Sequence, residues 1–291
     1  MTFSAVYPQG ASGQGIGGYD LLSTADRSFA FDYDHSGKLD HLVLYRPGTG
    51  AIYILKNGNG TFSPVYEQGA PGQGIGGYDF KSPADHAFAF DYDHSGELDH
   101  IAVYRPGTGT FWILENNNGE FSAVYQGVAG IGGYNLLSTA DSAFAFDYDH
   151  SGKMDYITLY RPGTGTIWIL KHDGNDFIPV YQQGDPGNGI GGFDLASNVD
   201  SAFAFDYNST GRQDYFVLYR PGTGVIWILQ NSNGAFTPVY GQDDPGQGIG
   251  GYDLKSPQDL GYAFDYRQDG KQDHIVFYRP GTGVIYIVEE S

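Results

Sequence analysis

Three aspartates, a serine and a glycine stand at fixed spacing in residues 32–40, Asp32-Tyr33-Asp34-His35-Ser36-Gly37-Lys38-Leu39-Asp40. Oxygen ligands at positions 1, 3, 5 and 9 with glycine at 6 are what a short loop needs to wrap Ca2+. Alternate side chains converge, Gly37 permits the sharp turn, and the carbonyl of position 7, here Lys38, turns inward. The pattern returns as Asp91, Asp93, Ser95, the Glu97 carbonyl and Asp99, and again as Asp147, Asp149, Ser151, the Lys153 carbonyl and Asp155. A fourth copy keeps oxygen donors throughout, with Asp206, Asn208, Thr210, the Arg212 carbonyl and Asp214. The fifth, Asp265 to Asp273, carries Arg267 at the second ligand position, where its guanidinium is expected to replace the ion by pairing with neighbouring carboxylates. A single such loop reads equally well as an acidic turn held by Asx hydrogen bonds. The recurrence at four positions in four loops favours structural Ca2+ sites in units one to four, with unit five degenerate. Mg2+ fits less well, because it prefers waters and rigid octahedral sites. His35, His94 and His150 fall at a non-ligand position and are expected to be solvated.

The elements that position these loops are repeated with them. Tyr-Arg-Pro-Gly-Thr-Gly starts at Tyr45, Tyr104, Tyr160, Tyr219 and Tyr278, at intervals of 59, 56, 59 and 59 residues. A period that regular means one supersecondary unit copied five times. In the first unit, residues 28–34, 41–46, 51–56 and 61–66 read as strands rich in β-branched and aromatic residues, joined by short Gly- and Asn-containing turns. Each unit is therefore a four-stranded antiparallel meander. Its second and third strands are apolar on both faces and need covering on both sides, which radial stacking supplies. The expected fold is all-β, a five-bladed β-propeller of four-stranded antiparallel blades. The repeat units run approximately over 8–66, 67–125, 126–181, 182–240 and 241–291. Residues 3–7 resemble the fourth strand that the last unit lacks, so this N-terminal strand is expected to close the last blade and leave no open edge. One object over 1–291 is expected.

Composition narrows the class. With 34 acidic against 15 basic residues and a net charge of −19, binding to a phosphate backbone is not expected. No run approaches the length of a membrane helix, so membrane insertion is not expected either. The absence of Cys removes disulfide and thiol chemistry and leaves the compartment open. No basic stretch followed by an apolar run opens the chain, so no signal peptide is expected within it. An extracellular setting is nonetheless favoured.

On these residues the unit resembles the FG-GAP or VCBS repeat of integrin-α-type propellers, whose Asp-x-Asp-x-(Asp/Ser)-Gly-x-x-Asp loop binds Ca2+ between the first two strands of a blade. The resemblance implies the ligand positions named above, and it covers the first hairpin of each repeat better than the second. Propeller lectins are similar to it, which implies glycans or glycoconjugates as partners. The opposite rim carries a long connection between units, with Tyr19 and Asp20 near Arg46. The same set returns as Tyr78, Asp79 and Arg105, as Tyr134 and Arg161, as Asp194 and Arg220, and as Tyr252, Asp253 and Arg279. An aromatic face beside planar polar groups suits a sugar, and the same residues equally suit an inter-blade ion pair or loop tether. The recurring aromatic of the third strand, Tyr53, Trp112, Trp168, Trp227 and Tyr286, is read as sheet-to-sheet core. No carboxylate pair is special to one blade, as a glycosidase would need. The expectation is thus a non-enzymatic, multivalent, calcium-stabilised lectin, with a protein-interaction or targeting propeller of a secreted enzyme or toxin as the alternative.

Overall fold

The computed structural model describes residues 15–174, 176–267, 269–282 and 284–289. Among them the first unit folds as β1 (Arg27–Phe31), β2 (His41–Arg46), β3 (Ala51–Gly58) and β4 (Thr61–Gln68), paired antiparallel in chain order. The next three units repeat this as β5 to β8 over 86–127, β9 to β12 over 142–183 and β13 to β16 over 201–242. The fifth sheet has three described strands, β17 to β19 over 260–289. The expected closing strand at 3–7 lies outside the described residues. The innermost strands β1, β5, β9, β13 and β17 touch in sequence, and β17 touches β1, so the five blades form a closed ring. This is a five-bladed β-propeller.

Burial follows position in the blade. β2 is buried along its length except at Arg46, because neighbouring blades cover both faces of the sheet. β4 lies outermost and is largely exposed. The outer pair carries a bulge at the same place in four blades. Ile54 pairs with Tyr66 but Leu55 with Pro64, leaving Val65 as the extra residue. A bulge on an edge strand tolerates proline and turns the extra side chain out, which is why Val65, Val124, Val180 and Val239 are exposed. The first strand ends at Phe31, shorter than its sequence suggests. The reason is that Asp32 donates its amide to Leu98 O of the next blade (3.1 Å) and leaves its own sheet.

The hexapeptide explains itself as a clasp between blades. Gly48 N and Gly50 N both donate to Phe80 O of the following unit (2.9 and 3.2 Å), and Gly72 N returns a bond to Thr49 O (2.9 Å). Phe80 is fully buried at a φ of +50°, and Leu136, Leu195 and Leu254 hold the same conformation at the other junctions. The tyrosine that opens the hexapeptide also crosses the junction. The Tyr45 hydroxyl accepts the Ala87 amide (2.9 Å), and Tyr104, Tyr160 and Tyr219 do the same with Ala143, Ala202 and Gly261.

The second glycine of this clasp has no room for a side chain. A Cβ on Gly165, at φ +73°, would stand 2.3 Å from Gly187 O across the junction. A Cβ on Gly60, at φ +87° in the β3–β4 hairpin, would meet nothing within 4 Å. Gly60→Ala should therefore cost only the left-handed backbone penalty of about 1–2 kcal/mol. Gly165→Ala should cost more than ~4 kcal/mol. Denaturant unfolding of the two variants checks the order, and equal losses would refute the clasp.

Candidate functional site

Each acidic loop is built on its first aspartate. Asp32 is buried and accepts Ser36 N (2.9 Å) and Gly37 N (2.7 Å), which curls the loop around its carboxylate. Asp91, Asp147, Asp206 and Asp265 take the equivalent glycine amides. Burial pushes the Asp91 and Asp147 carboxyls up to about 6, against the pull of these amides. Position 3 converges with position 9. Ligand atoms of Asp34, Asp40 and His41 lie within 4.8 Å of one another, as do those of Asp93, Asp99 and His100. In the third blade the Tyr156 hydroxyl donates to Asp149 (3.2 Å) from the place that His41 and His100 occupy. Lys56 Nζ sits 2.9 Å from Asp34 in the first blade, and the Lys153 side chain turns away to His94 O (2.6 Å). In the fifth loop Arg267 reaches Glu289 and approaches Asp273 (4.0 Å), as its charge leads one to expect.

Position 9 decides whether these residues suit a cation. Among the described residues, Oδ1 of Asp155 and of Asp214 is buried and has no hydrogen-bond partner, and the two residues are 6% and 8% exposed. Asp273 Oδ1, in the fifth loop, has His274 Nδ1 at 2.7 Å but out of hydrogen-bond geometry. Asp40 Oδ1 is in the same state, with His41 Nδ1 at 2.8 Å but out of hydrogen-bond geometry. A buried carboxylate oxygen without a donor is costly, and a cation relieves it. The donor set of carboxylates, Ser36 and Ser95 suits a hard divalent ion. The acidic clusters can hold a metal.

Sequence reasoning missed how the loops are tied together. His35, His94 and His150 are not solvated. The left-handed conformation at position 4 throws each ring across the junction, where Nδ1 meets Oδ2 of Asp99 (2.8 Å), Asp155 (2.7 Å) and Asp214 (2.7 Å). Ser209 makes the same reach to Asp273 (2.9 Å). One carboxylate thus serves its own loop with one oxygen and the preceding blade with the other. His41 and His100 were missed because the residue after the last aspartate reads as the start of a strand. At the first junction Glu97 joins His35 and Asp99, where the other loops carry Lys or Arg.

On the opposite rim the expected sugar-binding residues are bound to one another. Asp26 is fully buried and accepts the Tyr19 hydroxyl (2.7 Å), Ser23 N (2.9 Å) and Arg46 Nε (2.7 Å). Arg46 also reaches Asp20 and lies over the Tyr19 ring, 5.4 Å from its centroid. Tyr19 is 4% exposed, so it offers no stacking face. The same hub forms at Asp85 with Tyr78, Asp79 and Arg105, at Asp141 with Tyr134 and Arg161, and at Asp259 with Tyr252, Asp253 and Arg279. Asp200 bonds Arg220 and Arg220 reaches Asp194, with Phe193 in the aromatic place. In the third blade Arg161 recruits Asp185 (2.6 Å) where Asn135 replaces the exposed acid. These pairs lie within one repeat, not between blades. The third-strand aromatics Tyr53, Trp112, Trp168, Trp227 and Tyr286 pack edge-on against the same tyrosine or phenylalanine.

No protein-family model matches this chain, and no curated protein matches it. Solved β-propellers do. A candidate 6-phosphogluconolactonase of Bacteroides uniformis is 9% identical at a TM-score of 0.39, with 74% of this chain and 54% of that one covered. The calcium-binding protein regucalcin of Agrobacterium tumefaciens is 10% identical at 0.41, with 89% and 74% covered. A periplasmic gluconolactonase of Pseudomonas aeruginosa is 11% identical at 0.36, with 90% and 69% covered. The chain spans about half the length of the first of these (54%). The expectation of a non-enzymatic lectin, or of an interaction or targeting module, is corrected here. Propellers named as lactonases stand among the similar structures. The rim meant for glycans has its guanidinium groups matched to carboxylates and its aromatic rings buried.

The rim hubs lend themselves to a direct test. Arg105→Ala leaves Asp85 buried and unmatched, and should cost about 3–5 kcal/mol. Asp79→Ala removes a half-exposed partner and should cost less than ~1 kcal/mol. Urea unfolding of both variants distinguishes a structural hub from a free ligand site, for which Arg105→Ala would be nearly neutral.

Proposed function

We propose that this chain is a calcium-binding β-propeller of the FG-GAP/VCBS kind, with Ca2+ held in the loops between the first and second strands of its first four blades. The observation that carries the reading is the row of position-9 carboxylate oxygens, at Asp155 and Asp214 above all, that are buried without a donor. Asp34, Ser36 and Asp40 would hold the ion in the first loop, and their equivalents would do so in the next three. The position-1 aspartates would add to the set, since a carboxylate that accepts two amides retains lone pairs. Bound Ca2+ would supply charge neutralisation. Asp99, Asp155 and Asp214 are also gripped by the preceding blade, so fixing them would stiffen three blade junctions at once. In a chain of net charge −19 it would also lower the repulsion along this rim.

The test is thermal unfolding with EDTA and with added Ca2+, joined to calorimetric titration of the metal-free protein. Free Ca2+ at a hundred times its dissociation constant should add about 2.7 kcal/mol per independent site. Asp155→Asn should remove one site from the titration. A melting temperature indifferent to both EDTA and Ca2+ would overturn the reading.

The effect has a defined pH dependence. The folded chain holds the Asp91 and Asp147 protons, at about 6, more tightly than the unfolded chain does near the ordinary value of ~3.9. In the metal-free protein this contribution to stability is complete below the ordinary value and is lost as pH rises through 6. Calcium requires the ionised carboxylates. Its stabilising increment should therefore be full above that range and shrink as pH falls below it, as melting curves with and without Ca2+ at several pH values will show.

A further inference from the structure

Where the five units agree at almost every inward position, one differs in all but two. The first residue of each innermost strand is Arg27, His86, Ser142, Ser201 and Leu260. Each lies directly across from the buried hexapeptide tyrosine of its own blade. All five are part-exposed although the far ends of the same strands are buried, so they stand at the axial channel at the end away from the acidic loops. We propose that this end of the channel binds a small anion, the phosphate or carboxylate group of a low-molecular-weight compound, with Arg27 as its principal ligand.

Arg27 is the first ground. Arg46, Arg105, Arg161, Arg220, Arg267 and Arg279 each meet a carboxylate, but among the described residues Arg27 meets none. Its hydrogen bonds run from Nη1 to the carbonyls of Asp26 (3.1 Å) and Thr24 (3.5 Å). Its charge acts on Tyr278 of the fifth blade, Tyr45 of the first and His86 of the second, which places it near the axis. Asp26 and Asp85, the nearest acids of that rim, are held by Arg46 and Arg105. A guanidinium without a counter-charge inside a strongly acidic protein is poised for an anion, and its planar fork suits phosphate and carboxylate oxygens.

The hydroxyl groups are the second ground. The Tyr45, Tyr104, Tyr160 and Tyr219 oxygens each accept a backbone amide, so each proton is directed elsewhere. Ser142 stands beside the Tyr104 and Tyr160 hydroxyls, and Ser201 beside those of Tyr160 and Tyr219. Tyr45 has no such serine beside it, and it lies next to Arg27. His86 stacks on Tyr104 (5.2 Å between centroids, 19° between planes) and adds an imidazole N–H to the same sector. Burial, with Arg27 next in effect, depresses its pKa to about 4 and keeps it neutral. The sector between the first and second blades thus presents donors from Arg27, Tyr45 and His86.

The inference does not rest on calcium, and its test is run in EDTA so that the two readings fail separately. Inorganic phosphate and malonate are titrated separately into the metal-free protein, with calorimetry and the His86 ring-proton resonances as readouts. Saturable binding of either anion with movement of the His86 signals is expected. Phosphate alone would point to a phosphorylated compound, and malonate alone to an organic acid. Arg27→Ala and Arg27→Gln should each weaken binding by about tenfold or more, with Arg27→Lys retaining part of it. Lys255→Ala, on an exposed loop, should bind as the parent does. Circular dichroism confirms that each variant is folded. The proposal is overturned if neither anion binds, or if folded Arg27→Ala and Arg27→Gln bind as tightly as the parent.

Discussion

A sheet that is apolar on both faces cannot stand alone in water, and everything else in this protein depends on meeting that constraint. The second strand of each blade is buried because the preceding and following blades cover it. The ring is the arrangement in which every blade has two neighbours. The residues that recur most faithfully, the tyrosine, the two glycines and the threonine of the hexapeptide, are those that fasten one blade to the next. Their repetition is a property of the junction more than of the blade.

The two rims use the same chemistry to opposite ends. On one, a fully buried aspartate in each blade is matched by an arginine from β2 or its equivalent, and the carboxylate is satisfied by Ser23 N and the Tyr19 hydroxyl as well. Nothing is left over for a ligand. On the other, the position-9 aspartates receive a histidine or serine from the preceding blade on one oxygen and, at Asp155 and Asp214, nothing on the second. Among the described residues, the buried carboxylate oxygens without a hydrogen-bond donor all lie on that rim, and it is there that a cation has electrostatic work to do. The axial channel reverses the sign again, with Arg27, which meets no carboxylate among the described residues. A chain of net charge −19 has therefore placed six of its eight arginines in ion pairs and one at the axis.

Repetition itself is informative in two ways. Where all five copies agree, the residue serves a junction or a core, as Tyr45 and its four equivalents do. Where the copies agree about everything around a position and diverge at the position, the ring acquires a side. Arg27, His86, Ser142, Ser201 and Leu260 are that divergence. A protein made of identical blades would have only rotational symmetry to offer a ligand. This one has a cationic sector and an apolar one.

The period, the four-strand unit, the bounds of β2 and the acidic loops were all legible in the sequence, because each rests on contacts a few residues apart. Hairpin turns, alternating burial and a carboxylate that accepts the amides of the residues four and five ahead are local physics. The partners of His35, Tyr45 and Arg27 were not legible. His35 and Asp99 are 64 residues apart, and Tyr45 and Ala87 are 42 apart. Such pairs meet only once the blades have closed into a ring, and no spacing along the chain announces them. For the same reason Tyr19, Asp20 and Arg46 looked like a ligand set, since residue types alone do not say whether a guanidinium is free or matched. The sequence by itself determined what each blade is. The tertiary structure decided which polar groups face one another across the junctions, because that depends on the angle at which the blades are packed, and so it decided which charges remain available to bind anything.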